Sequence, residues 1–253
     1  MTKKLRRVPG YLFLAICALL SVGPLYFMVV SATNTSQDVL GSRMLPGANL
    51  VANFTALVGQ QDVASAMWFS MIQAVGTTVL ALLVCSIAGY GFEVFHSRGK
   101  DRLMNVLLLA MMIPFAATMI PLFQLFAQFG MINSSFAVIL PAIATPFLVM
   151  LFRQSSRSFP HEIVEAARID GLSELNIFAR IYVPTMRSTY AAAAVITFMA
   201  AWNNFLWPKV IIVNNTYQTI PMLISNLRAG YVTDYGVLML AVLLASLPTM
   251  VIF

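Results

Sequence analysis

The chain alternates between long apolar runs and shorter intervals that hold nearly all of its charge. A helix needs about 20 apolar residues to cross the hydrocarbon core of a bilayer. Runs approaching that length cover 11–32, 66–92, 103–128, 136–152, 190–207 and 237–253. The fourth, at about 17 residues, sits at the lower limit for a span. The pattern predicts an all-α integral membrane protein with about six transmembrane helices. Prolines stand in or near these runs: Pro24, Pro114, Pro121, Pro141, Pro146, Pro208 and Pro248. Pro114 and Pro121, seven apart, should share a face of one helix and kink it.

The first run follows Lys3, Lys4, Arg6 and Arg7, as the core of a signal peptide would. It is longer than such a core, it lacks a small-x-small cleavage site, and Ile16 before Cys17 is too large for lipoprotein cleavage. It reads as an uncleaved anchor. Residues 1–65 then form a cytoplasmic tail, the first span and a long polar external loop. Residues 66–253 form a core of five spans with a cytoplasmic loop over 153–189.

Composition agrees with this class. Of the 253 residues, 60% are hydrophobic and 9% are charged, against about 25% charged in a soluble domain. The net charge of +6 reflects topology rather than nucleic acid. With spans as above, twelve basic residues fall on the side of the N-terminus and three, Arg43, Lys209 and Arg228, on the other. Basic residues mark the cytoplasmic side, so both termini are expected there. Cys17 and Cys85 lie in apolar runs and read as free, packed thiols.

No expected span contains Asp, Glu, Lys, Arg or His. Proton-coupled carriers keep ionisable groups within the membrane despite a cost of about 2.5–3.5 kcal/mol each. A stand-alone secondary carrier is therefore the weaker alternative, although sodium coupling through backbone carbonyls stays open. The chain has no G-x-x-x-x-G-K-[ST] loop, so any ATP it depends on is hydrolysed elsewhere. An intramembrane enzyme lacks its residues too. His96 and His161 fall in loops, no H-E-x-x-H occurs, and no metal site is expected. Polar residues do remain in or at the ends of spans: Gln73, Thr77, Thr78, Gln124, Gln128, Asn203 and Asn204. They suit either hydrogen bonds between helices or the lining of a polar solute path. Gln124, Asn203 and Asn204 are the candidates for that path. Trp202 and Trp207 beside the Asn pair suit sugar stacking or interfacial anchoring.

The loop 153–189 carries five basic and four acidic residues. Burying these charges in lipid would cost on the order of 20–30 kcal/mol. It reads instead as two short helices. Ser158 would cap the first, with Pro160 in its first turn and Glu162 and Glu165 near its positive end. Gly171 would end it in a left-handed conformation. Ser173 would cap the second, which Pro184 would end. The first helix would present Ala166 and Ala167 as a close-approach knob beside Glu165. It could fit a groove on a soluble partner or lie along the membrane surface.

Glu165-Ala166-Ala167, three residues, Gly171, nine residues, then Ile181-Tyr182-Val183-Pro184 resembles the E-A-A-x-x-x-G-(nine)-I-x-L-P loop of ATP-binding-cassette importer permeases. Val183 replaces the usual Leu. Phe152-Arg153-Gln154 and the run from Ala201 to Pro208 resemble the maltose-type carbohydrate permeases, and specifically their six-span partner. The resemblance implies a type I importer permease in a bacterial cytoplasmic (inner) membrane. It implies a second permease subunit, an ATPase dimer and an extracytoplasmic solute-binding protein as partners, besides membrane lipid and without nucleic acid. It implies no cofactor on this chain, with ATP and Mg used by the ATPase. Glu165, Ala166, Ala167 and Gly171 would form the ATPase-docking loop, with Arg168 and Asp170 as neighbouring contacts. The stretch 214–234 would touch the binding protein. Such permeases continue beyond the last span, so a tail past Phe253 is also implied.

Overall fold

A computed structural model describes residues 8–214, 217–230 and 232–252. The basic residues Lys3, Lys4, Arg6 and Arg7, and Phe253, lie outside this set. Every regular element among the described residues is helical: α1 (Val8–Ser31), α2 (Ser36–Leu40), α3 (Leu50–Gln60), α4 (Val63–Val94), α5 (Arg98–Ala110), α6 (Phe115–Gln128), α7 (Ser135–Ile139), α8 (Pro146–Ser156), α9 (His161–Ile169), α10 (Glu174–Ile177), α11 (Val183–Thr185), α12 (Arg187–Trp202), α13 (Leu206–Ile211), α14 (Ile220–Arg228) and α15 (Tyr235–Ile252).

Among the described residues three helices, α1, α4 and α15, are long and apolar enough to cross a membrane. Two further crossings exist only if bent pairs count as one each. The α5–α6 pair bends by 100°, and the pair formed by 135–142 and α8 bends by 45°. The expectation of one kinked helix over 103–128 is thus corrected. Pro114 has an extended backbone (ψ 134°) just before α6, and Pro121 alone lies inside α6. The two prolines share no helix face. A proline cannot supply the N–H a continuing helix needs, but it opens a new helix without penalty. The expected span over 190–207 is also shorter. α12 stops at Trp202, and Trp207 belongs to α13.

The chain forms two compact units, residues 1–64 with 220–253, and residues 65–219. In the first, the stretch expected as a plain polar loop is built. The buried Asn53 amide of α3 donates to the carbonyls of Ala32 (2.9 Å) and Asn34 (3.0 Å). Thr35 and Asp38 cap α2 reciprocally. The Ser36 hydroxyl donates to Asp234 at 2.7 Å and accepts from the Tyr235 amide, and Asp234 accepts from the Gly236 and Val237 amides of α15.

In the second unit α4 and α8 meet face to face. Gly89 makes this possible, since a Cβ there would come within 2.5 Å of the Phe152 Cβ and 2.8 Å of the Arg153 nitrogen. Around this contact Ala81, Cys85, Met104, Leu148, Phe152 and Ala193 form a buried cluster. Trp207 is 1% exposed. Its indole N–H donates to the Ala137 carbonyl at 2.8 Å, and its ring packs on Phe115 and Phe126. Its ring and its N–H are thus both engaged inside the protein.

Candidate functional site

The motif loop folds as a short helix on an aromatic platform. Tyr90, Phe159, Phe178 and Tyr182 pack with Val164, Ile177 and Met186. Tyr182 touches three of these rings, at centroid distances of 4.8 Å from Tyr90, 5.5 Å from Phe159 and 5.5 Å from Phe178. α9 lays Val164 and Ala167 onto this platform, 1% and 5% exposed. Apolar residues three apart share one helix face, so one side of α9 is fixed and the other is free.

The free side holds Glu165, Ala166, Arg168 and Asp170, all exposed, as is Gly171. The expected knob is corrected in one respect. Ala167 points inward, where its small side chain lets the helix settle on the rings; only Ala166 is presented outward beside Glu165. Two large apolar side chains of the loop are also exposed, one at the end of α9 and one on α10. Ile169 is 86% exposed and Leu175 73%.

Gly171 ends α9 at φ +80°. Its N–H bonds to the Arg168 carbonyl and that of Leu172 to the Ala167 carbonyl, both at 3.0 Å. This pair of bonds is a Schellman closure, which needs a left-handed residue at Gly171. Ser173 caps α10 through the Asn176 amide. Ser158 does not cap α9. Its hydroxyl donates to the Ser155 carbonyl at 2.6 Å, and α9 starts after Pro160 without a side-chain cap. Nor does Pro184 end the second helix. The chain passes from α10 through a π-helical turn, Phe178–Tyr182, into α11 with Pro184 in its first turn. The wider turn accommodates the proline's missing donor.

Arg168 is engaged within its own loop. Its Nε bonds to Glu174 at 2.6 Å, which holds the guanidinium pKa above its ordinary value. It also lies 5.7 Å from the Phe95 ring centroid. Glu174 in turn accepts from the Tyr90 hydroxyl at 3.5 Å.

Arg153 roots the loop in the helices behind it. This residue, 7% exposed, reaches Glu93 at the end of α4 at 3.4 Å and also binds the Asp101 carboxylate in the first turn of α5. His96 and Arg157 complete the network at 3.0 Å from Asp101 and 3.6 Å from Glu93. A buried guanidinium is costly when unpaired, and here its two carboxylate partners tie α8 to α4 and α5. Tyr182 adds a neutral tie. Its hydroxyl and that of Ser156 are 2.6 Å apart, and burial pushes the phenol up to about 12.

A second feature lies within the same unit. A cavity of about 270 Å³ is lined by Gln73 and Thr77 of α4, Thr145, Phe147, Thr197 and Asn204, among others. Of the residues expected along a solute path, Asn204 lines it, whereas Gln124 and Asn203 do not. Both of those are exposed, and the Asn203 amide donates to the Met199 carbonyl at 2.9 Å. Among the described residues no three His, Cys, Asp or Glu side chains gather as metal ligands.

Known proteins share this chain's sequence and fold. Residues 81–253 match the family described as binding-protein-dependent transport system inner membrane component. The chain is 45% identical over 256 residues to the lactose transport system permease protein LacG of Rhizobium radiobacter, covering 100% of this chain and 94% of that one. It is 32% identical over 253 residues to the arabinooligosaccharides transport system permease protein AraQ of Halalkalibacterium halodurans, covering 96% and 88%. It is 33% identical over 239 residues to the sn-glycerol-3-phosphate transport system permease protein UgpE of Salmonella typhi, covering 90% and 85%. The fold matches a bacterial ABC transporter involved in the import of the acidic polysaccharide alginate, with a TM-score of 0.86, 16% identity and coverage of 99% and 94%. The chain therefore belongs to the inner membrane components of binding-protein-dependent transport systems and is a multi-pass permease subunit of an ABC importer.

Proposed function

We infer that this chain is one of two permease subunits of a carbohydrate importer, with both termini in the cytoplasm. A pair of ATPases beneath it hydrolyses ATP with Mg, and one of them grips the α9 loop through Glu165, Ala166 and the glycine-ended turn. A soluble binding protein delivers the sugar from outside and touches the stretch 214–234. The observation that supports this most is the build of the loop. Its outer face is open, while its inner face and base are locked to α4, α5 and α8 by the aromatic platform and by Arg153. A force applied to such a loop moves helices rather than bending the loop. The sugar class rests on the names of the lactose and arabinooligosaccharide relatives. Family membership and the charge-free expected spans both weigh against a stand-alone carrier.

The test is a tagged pull-down from native membranes in mild detergent. Recovery of an ATPase and a second permease is expected. Recovery of this chain alone, moving solute in vesicles without ATP, would overturn the reading.

A further inference from the structure

We propose that the cavity between α4, α8 and α12 is a binding site for one uncharged sugar ring, held by this subunit during translocation. The proposal rests on the permease reading and adds a site and a substrate class to it.

The volume comes first. At about 270 Å³ the cavity falls just under the roughly 300 Å³ at which pockets for drug-sized ligands begin. It has room for one ring of a saccharide and leaves the remainder of a longer one to the rest of the pore.

The chemistry of the wall comes next. Gln73 is 3% exposed, and its amide nitrogen has no hydrogen-bond partner among the described residues. An unpaired buried donor costs about 1–3 kcal/mol, and a ligand hydroxyl beside it would recover that. Thr77, Thr145 and Asn204 add hydroxyl and amide groups. The Thr197 hydroxyl donates to the Ala193 carbonyl at 2.7 Å, so it turns lone pairs toward any further donor. The remaining wall is apolar and carries the Phe147 ring. A pyranose or furanose has both kinds of surface, hydroxyls at its rim and C–H groups on its faces. A lipid chain filling the same space would leave Gln73 unpaired.

The charge then narrows the class. Among the described residues no Lys, Arg, His, Asp or Glu lines the cavity. A phosphate or uronate brought there would be a desolvated anion without a partner, which is strongly unfavourable. Among the solutes that relatives carry, the neutral saccharides fit and sn-glycerol 3-phosphate does not.

The experiment uses the whole importer in lipid nanodiscs, without its binding protein. Equilibrium binding of radiolabelled lactose, maltose and arabinotriose is measured, with sn-glycerol 3-phosphate as competitor. Saturable binding of at least one neutral sugar is expected, unaffected by the phosphate. Gln73→Leu and Thr197→Val should each weaken it by about tenfold, or about 1.4 kcal/mol. Absence of binding by all three sugars, competition by the phosphate, or unchanged affinity in both variants would overturn the proposal. ATP-driven sugar uptake by the same importer, reconstituted in sealed vesicles with its binding protein, separates the two claims. If uptake persists while the binding results fail, the permease reading stands and the cavity proposal falls.

Discussion

The hydroxyls of Ser156 and Tyr182 lie 2.6 Å apart in the protein interior, joining the last turn of α8 to the motif loop. Ser156 also bonds to the Phe152 carbonyl at 2.7 Å, so the two partners are not equivalent. Tyr182→Phe leaves Ser156 with that second bond and should cost about 0.5–1.5 kcal/mol. Ser156→Ala leaves a buried phenol unpaired and should cost about 1–3 kcal/mol. Thermal unfolding of the two variants in detergent checks the order. A larger loss for Tyr182→Phe would contradict the assignment.

The same phenol predicts a pH dependence. Burial raises its pKa to about 12, above the roughly 10 of an unfolded tyrosine. The folded state thus keeps its proton where the unfolded state loses it. This contribution is constant below pH about 10 and is lost as the pH rises toward about 12. Unfolding midpoints of the native chain, compared with Tyr182→Phe over that window, should fall more steeply for the native chain. Parallel profiles would rule the effect out.

Gly89 has no room to grow. With Phe152 and the Arg153 backbone inside 3 Å of any Cβ, Gly89→Ala forces α4 and α8 apart. Overpacking of this kind costs about 1–3 kcal/mol. Gly91, two residues on, has nothing within 4 Å of its Cβ, and Gly91→Ala should be harmless. Yield and monodispersity on size exclusion distinguish the two. Equal behaviour would contradict the close approach.

Removing Arg153 leaves Glu93 with Arg157 alone and Asp101 with His96 alone. Arg153→Met should destabilise by at most about 3 kcal/mol, the lower end for breaking a buried pair, because the Asp101 side chain is 43% exposed. ATP hydrolysis should then be less tightly linked to uptake. Adding Glu93→Met should restore part of the stability, since the pair leaves together. A double variant less stable than Arg153→Met alone would refute the pairing.

Much of this was legible in the residues. The apolar runs located α1, α4 and α15, and the spacing from Glu165 to Gly171 anticipated a helix closed by a left-handed glycine. Ser173 was recognised as a cap because its signal lies within three residues. What escaped depends on distant partners. Nothing near Arg153 announces Glu93 and Asp101, 60 and 52 residues away. Ala167 looked outward because periodicity gives faces but not which face meets the rings. The break at Pro114 was hidden because membrane helices tolerate proline inside a span, so hydropathy alone cannot tell a kink from a 100° turn. Gln73 was noticed as a polar residue, but its missing partner and the cavity beside it exist only in three dimensions.

In the proposed importer the outer face of α9 meets an ATPase. The direct measurement is cross-linking from Ala166→Cys in a background lacking Cys17 and Cys85, within the assembled importer, against single cysteines placed on the ATPase surface. Under a mild thiol oxidant, a disulfide between the two chains is expected to form with Ala166→Cys and to be lost when Gly171→Val is added, because a β-branched side chain disfavours positive φ. An importer that takes up sugar with ATP while Ala166→Cys meets no ATPase cysteine would contradict it.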